Sequence, residues 1–241
     1  MSNTLVIIPT YNEKENIEAI ICAVFSQKKQ FDILVIDDNS PDGTSSIVKK
    51  LQQEYSNLYL EIRKEKKGLG SAYIHGFMWA IAKNYDYIIE MDADFSHNPN
   101  DLIRLYNACA NDGNDVAIGS RYITGVNVVN WPMGRVLMSY YASAYVRIVT
   151  GLSIRDTTAG FMCYTAKVLE NIDLDRIKFT GYAFQIEMKF TSVKMGYKVV
   201  EVPIVFTDRT MGESKMSGSI FKEAIFGVLK LRFKKVKRRI N

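Results

Sequence analysis

Over roughly the first half of the chain, short apolar runs rich in β-branched residues alternate with longer stretches whose apolar positions recur every three or four residues. The first pattern predicts strands buried on both faces, and the second predicts helices with one apolar side. Strands are predicted at Leu5–Thr10, Ile33–Asp37, Leu58–Ile62, Tyr87–Met91 and Val116–Gly119. Helices are predicted at Glu13–Ser26, with Ile17, Ile20, Ile21 and Val24 inward, and from an Asp42 N-cap to about Tyr55, with Ile47, Val48 and Leu51 inward. Two more follow at Leu69–Lys83 and Asn100–Ala110. Strand and helix in strict alternation is the sequence form of a parallel sheet covered by helices, an α/β fold.

The second half is less regular. Pro132–Thr150 reads as a helix opened by proline, with Met133, Val136, Leu137, Tyr140, Tyr141, Ala144, Tyr145 and Ile148 forming a wide apolar face that Arg135 and Arg147 interrupt. A helix at Gly181–Met195 and a strand at Lys198–Thr207 follow, Pro203 marking that strand as an edge or irregular one. Asp208–Gly218 is polar, aperiodic and carries Gly212 and Gly218, so it reads as a loop able to close as a lid. Phe221, Ala224, Ile225, Val228, Leu229, Phe233 and Val236 then keep a helical period. No repeat or linker divides the chain; residues 1–218 are expected to form one domain, and residues 219–241 a basic amphipathic helix of the same unit.

Charge sharpens this picture at one end. The net charge is +5, yet Lys230, Arg232, Lys234, Lys235, Lys237, Arg238 and Arg239 stand together without an acidic neighbour. Such a tail suits an anionic partner, and its amphipathic setting, with no aromatic stacking platform, favours a membrane surface over nucleic acid. No apolar run approaches a membrane span and no signal peptide is visible, so the expectation is a cytoplasmic protein peripheral to the membrane. Cys22, Cys109 and Cys163 lack metal spacing and read as packed, reduced thiols; His75 and His97 have no visible partner.

The chemistry concentrates at strand ends, where open α/β sheets place their ligands. Asp92 and Asp94 follow the fourth strand one residue apart, and in an extended segment both carboxylates point the same way. Together they suit a hard divalent cation whose shell a diphosphate completes, which implies an activated nucleotide substrate. Pro9-Thr10-Tyr11-Asn12-Glu13 follows the first strand with a ring and a carboxylate for a base; Asp37-Asp38-Asn39-Ser40-Pro41-Asp42-Gly43 closes the second. Lys67-Gly68-Leu69-Gly70 follows the third strand and lacks the third glycine of a dinucleotide fingerprint, so it reads as a tight turn. Arg121, Arg135, Arg209 and Lys215 stand in loops or at helix starts, where a diphosphate and an anionic acceptor need fixed positive charge.

These motifs, with Thr44, Gly68-Leu69-Gly70, Met91-Asp92-Ala93-Asp94, Gly119-Ser120-Arg121-Tyr122 and Asp208-Arg209 through Ser214-Lys215-Met216, resemble those of the dolichol-phosphate (polyprenol-phosphate) mannose synthases, family 2 glycosyltransferases of GT-A fold. The resemblance runs in order from about residue 4 to 220. It implies that Pro9, Tyr11, Glu13, Ile36 and Asp38 contact the nucleoside, and that Asp92, Ala93, Asp94 and Ser96 surround the metal, Mg²⁺ or Mn²⁺, and the diphosphate. Arg121, Arg135, Arg209 and Lys215 would bind phosphates, with Asp92, Asp94, Arg209 and Lys215 catalytic. The implied reaction is inverting transfer of mannose from GDP-mannose to a polyprenyl phosphate at the membrane. A related transferase using another sugar nucleotide such as UDP-glucose, and a non-enzymatic nucleotide-binding protein, are the alternatives. Two positions depart from the family pattern: Ser96 stands where some relatives have glutamine, and Met162 follows Thr158-Ala159-Gly160-Phe161 where many have arginine.

Overall fold

The computed structural model describes residues 2–179, 181, 183–209, 227–234, 236 and 239. Its first half follows the sequence pattern closely. Strands β1 (Thr4–Thr10), β2 (Asp32–Asp37), β3 (Leu58–Ile62), β4 (Tyr87–Glu90) and β5 (Val116–Ser120) alternate with helices α1 (Ile17–Phe25), α2 (Thr44–Leu51), α3 (Leu69–Ala82) and α4 (Leu102–Ala110). The first helix starts four residues later than predicted, because Glu13 caps a preceding turn, accepting N–H bonds from Asn16 and Ile17 through its carbonyl. The N-cap of α2 is Gly43 (φ 93), one residue after the predicted Asp42, whose carboxylate instead braces the turn into the helix: its Oδ1 accepts from the Thr44 backbone N–H at 3.0 Å and its Oδ2 from that of Lys14 at 3.1 Å.

Strand residues divide between the sheet's two faces by simple alternation. Leu5 and Ile7 join α3 and the later helices in one core, while Val6 and Ile8 join α1, α2 and α4 in the other. A side chain on Gly76 would put its Cβ 2.8 Å from the Cδ1 atoms of Ile7 and Ile36, so glycine lets α3 lie directly on β1 and β2.

In the second half, α5 (Met133–Thr150) and α7 (Ala183–Lys194) form as expected. Strand β7 (Met162–Thr165) and helix α6 (Ala166–Asn171) are additional, and the expected strand at 198–207 is two, β8 (Val199–Pro203) and β9 (Phe206–Thr207). Among the described residues the main sheet runs β3-β2-β1-β4-β7-β5-β8, with β7 antiparallel to both neighbours. The sheet is thus mostly parallel with helices on both faces, and β8, ending in Pro203, is an edge strand as the proline required. Because β7 runs backwards, the segment entering it lies beside the segments leaving β4 and β5, and so at the ligand edge. The short strand β6 (Val128–Val129) pairs with β9 and carries residues 130–135 toward the same edge.

At the C-terminal end, residues 227–232 are helical. Val228 and Leu231 pack with Val146, Leu152, Ile186 and Phe190, Lys234 pairs with Glu187, and the Arg232 guanidinium donates to the Val149 carbonyl at 2.7 Å. Some of the tail's cations are therefore used inside the protein, while Phe233 stays 81% exposed. Phe221, Ala224, Ile225, Gly212, Gly218 and Lys215 lie outside the described residues, as do Lys235, Lys237 and Arg238. Cys109 and Cys163 are buried free thiols, whereas Cys22, expected to be packed, is exposed at the end of its helix face.

Candidate active site

The loops after β1 and β2 lie side by side because their strands pair in register from Leu5↔Asp32 to Thr10↔Asp37. Asp37 is wholly buried and holds this edge together, accepting from Thr10 Oγ1 at 3.0 Å, Ser40 Oγ at 2.6 Å and the Ser40 N–H at 2.9 Å. Asn12 (φ 56) and Asn39 (φ 57) take the left-handed turns that the loops need, which asparagine tolerates. Asp38 is buried against Arg63, whose Nε donates to it at 2.5 Å, and Lys66 sits 4.3 Å above the Tyr11 ring. Glu13 is tied to α2, its N–H donating to Thr44 Oγ1 at 3.0 Å. Pro9 is half-buried beside them; the Ile36 side chain is fully buried in the core, so only its main chain faces this edge.

Strand β4 stops at Glu90, so Asp92 and Asp94 sit in a turn and not in the extended strand assumed from the sequence. What brings both carboxylates to one cavity is the turn itself: Asp94 Oδ1 accepts from the Ser96 N–H at 3.1 Å, and Phe95 between them adopts φ 60. A bulky side chain in the left-handed region is strained, and such strain persists where surrounding contacts over-determine it. Here His97 supplies the hold. It is buried, stacks on Phe161 with ring centroids 4.7 Å apart, and its Nδ1 accepts from the Asp92 N–H at 3.1 Å. Its other nitrogen is 4.0 Å from Asp92 Oδ2. Burial lowers the His97 pKa, so the neutral ring supports the turn. Burial, together with the Asp94 charge, raises the Asp92 carboxyl above its ordinary value, and the Tyr73 hydroxyl reaches it at 3.4 Å.

The three described arginines of the predicted set also reach this cavity. Arg121 forms a two-pronged ion pair with buried Asp156, Nε to Oδ2 at 2.7 Å and Nη2 to Oδ1 at 2.6 Å, and donates to Thr158 Oγ1 at 2.8 Å. Burial pushes Asp156 up, but the guanidinium and its hydrogen bonds hold it below the ordinary carboxylate value. Arg135 donates to both oxygens of Asp208 at 2.9 Å and lies 4.2 Å from the Trp131 ring centre. Arg209 Nη2 stands 3.1 Å from Asp94 Oδ2. The cavity between them holds about 480 Å³ and has two unlike ends. Asp92, Asp94, Ser96, Arg121, Arg135 and Arg209 line one; Met138, Tyr141, Tyr145, Val146, Ile186 and Val228 line the other.

Among the described residues no three acidic, histidine or cysteine groups form a complete metal cage. The donor set still fits a cation shared with a ligand. Two carboxylates face one cavity, burial and then their mutual repulsion raise one of them, and the buried Ser96 Oγ has no partner among the described residues. Sequence reasoning missed His97, Asp156 and Gln185. His97 had a usable signal, lying five residues past Asp92 beyond a turn; Asp156 lies in the segment that enters the unforeseen β7, and Gln185, on the expected α7, meets the site only where that helix reaches Glu90 of β4.

Known proteins agree with this geometry. Residues 5–173 match glycosyl transferase family 2. The chain is 47% identical over 226 residues to the polyprenol monophosphomannose synthase of Mycolicibacterium smegmatis, covering 93% of this chain and 85% of that one. It is 45% identical over 224 residues to the undecaprenyl-phosphate mannosyltransferase of Micrococcus luteus, covering 93% and 91%. The fold matches a structure of glucosyl-3-phosphoglycerate synthase from Mycobacterium tuberculosis with Mn²⁺, UDP and glucosyl-3-phosphoglycerate (TM-score 0.71, 17% identity, 98% of this chain and 86% of that one). It also matches a mannosyltransferase of Pyrobaculum calidifontis with GDP-mannose and Mn²⁺ (TM-score 0.57, 17% identity, 95% and 69%). With its GT-A fold and these relatives, the chain belongs to glycosyl transferase family 2, among the polyprenol-phosphate mannose synthases, and is a glycosyltransferase.

Proposed function

We propose that this enzyme moves mannose from GDP-mannose to a polyprenyl monophosphate at a membrane surface, with inversion at the sugar carbon. The two-ended cavity carries the reading: a charged end suits a diphosphate and an acceptor phosphate, and an apolar end suits the first units of a lipid chain. The names of the two relatives support the acceptor class, and the mannosyltransferase of like fold supports the donor.

Asp92 and Asp94 would hold Mg²⁺ or Mn²⁺, which supplies charge neutralisation on the departing diphosphate when bound. Pro9, Tyr11, Glu13, Asp38 and the main chain of Ile36 take the nucleoside, with Ala93 and Ser96 beside the diphosphate. An acceptor phosphate is largely ionised at neutral pH, so its oxygen attacks the sugar carbon without a side chain to remove a proton. This agrees with the character of His97, which is neutral and engaged with the Asp92 main chain. Arg209 and Arg135 are each paired with an aspartate at the cavity, and exchanging those partners for phosphate oxygens would position both substrates. Arg121, held by Asp156, shapes the cavity wall and adds positive potential. Lys215 joins this set by sequence only.

Membrane contact is supported by α5 as well as by the basic tail. Met133, Leu137, Tyr141 and Ile148 are exposed, and Tyr141 also lines the cavity's apolar end. Among the described residues no helix is long and apolar enough to cross a membrane, so the reading is a peripheral enzyme at the cytoplasmic face. A donor screen with polyprenyl phosphate and Mg²⁺ or Mn²⁺ tests it. Mannosyl-phosphoryl-polyprenol is expected from GDP-mannose; transfer from UDP-glucose alone, or none without a different acceptor, overturns it.

A further inference from the structure

Beneath the charged end of the cavity lies a polar pair that none of the steps above uses. Glu90, two residues before Asp92, is fully buried at the end of β4. Gln185, in the first turn of α7, donates its Nε2–H to Glu90 Oε2 at 2.8 Å. This leaves Gln185 Oε1 and Glu90 Oε1 buried and without a partner among the described residues, although Gln185 lines the same cavity as Asp92 and Asp94. Two orphaned oxygens in one core are costly, and native proteins keep few of them.

The chemistry of the pair narrows what would satisfy it. The amide oxygen of Gln185 is an acceptor and does not titrate. A group that donates, such as a hydroxyl, complements this acceptor, whereas an ionised phosphate offers only acceptors. Lys189, one turn further along α7, fixes the pair in place: its Nζ donates to the Ala159 carbonyl at 2.5 Å and stands 3.3 Å from that of Gln185. Gly160 lies beside the pair at the cavity wall, a Cβ there falling in ordinary contact, 3.8 Å, with both Gln185 Nε2 and His97 Cε1.

We propose that Gln185, backed by Glu90, reads a hydroxyl of the transferred sugar and is a specificity-determining residue of this enzyme. The inference rests on the sugar-transfer reading but not on the identity of the sugar. It is tested by calorimetric binding of GDP-mannose and GDP, each with Mn²⁺, to the wild type, to Gln185→Leu and to the near-isosteric Gln185→Met, with circular dichroism to confirm that each variant is folded. The expected result is a loss of about tenfold or more for GDP-mannose with GDP changed less than about twofold. In a series of GDP-deoxymannoses, one missing hydroxyl should weaken the wild type and leave both variants indifferent. Equal losses for GDP and GDP-mannose, no loss for either, or a change in melting temperature alone overturns the proposal, the last outcome meaning that the two oxygens hold only a buried water. If the wild type prefers UDP-glucose, the donor proposed above is wrong, and the same comparison between UDP-glucose and UDP decides Gln185.

Discussion

The two halves of this molecule place their buried polar groups differently. In β1 to β4 and their helices the core is mostly Val, Ile and Leu, and the buried carboxylates Asp32, Asp37 and Glu90 stand at strand ends. In the second half, Asp156, Gln185, Glu187 and Lys189 are almost wholly buried, while Ile148 is 79% and Met133 70% exposed. The first half is packed for its own stability and delivers ligand groups at strand ends. The second half sets Arg121, held by buried Asp156, in the cavity wall and, among the described residues, leaves an apolar face of α5 exposed, an arrangement that suits the anionic lipid acceptor proposed above.

Four experiments probe this contrast, starting with the largest effect. Asp92→Asn or Asp94→Asn should lower transfer by about a thousandfold or more, because each removes charge from the group that takes the cation. The fold should survive, and Asp92→Asn should melt no lower than wild type, since burial already disfavours that carboxylate. Steady-state transfer assays beside thermal melts check both statements; near-normal transfer would refute the metal role.

Asp156→Ala strikes the second half's buried charge. It strands the Arg121 guanidinium, whose side chain is 9% exposed, and should cost about 3–5 kcal/mol in urea unfolding. The same substitution at Asp42, a loop-edge carboxylate of the first half that accepts from the first N–H of α2, should cost only about 1 kcal/mol. Equal costs would erase the distinction between the halves.

Glu90→Gln tests the seam between them through pH. A carboxyl raised from 4.5 to about 8 contributes stability that is complete below the unfolded value and is lost as pH rises through 8. Wild type should therefore lose on the order of 2–4 kcal/mol between pH 5 and 8 that the glutamine variant keeps. Lys189, the cation facing Glu90, is lowered by burial to about 8, so its own contribution changes above that pH, and Asp92, the other charged neighbour, is common to both proteins. Parallel urea midpoints across that range would show Glu90 to be ionised throughout.

The smallest effect belongs to the surface. Tyr141→Glu with Ile148→Lys should leave stability within about 0.5 kcal/mol, both sites being exposed. Binding to anionic polyprenyl-phosphate vesicles should still fall several-fold in flotation assays. Unchanged flotation would assign the membrane contact to the tail.

The strand ends of the first half were readable because a parallel strand buried on both faces announces itself as an apolar run, and the residue after the run must lie at the ligand edge. Tyr11, Asp38 and Asp92 follow from that rule alone. The second half resisted for a physical reason. Met162–Thr165 is only four residues long and gives no alternation, and its reversed direction depends on pairing with both β4 and β5. Asp156 and Thr158 inherit their place from that strand, and Gln185 from the contact of α7 with Glu90, so no local pattern marks them.

Composition and spacing by themselves determined the α/β alternation and the carboxylates and cations that the chemistry requires, since those depend on residue type and local period, while the family came from the resemblance of the ordered motifs. Only the tertiary structure decided that the Asp-x-Asp pair converges through a strained turn, that His97 supports it, that Arg121 is bound to Asp156, and that α5 turns its apolar side outward. Each of these is a relation between segments far apart in the chain, and helical or strand periodicity records that a face is apolar without recording what will cover it.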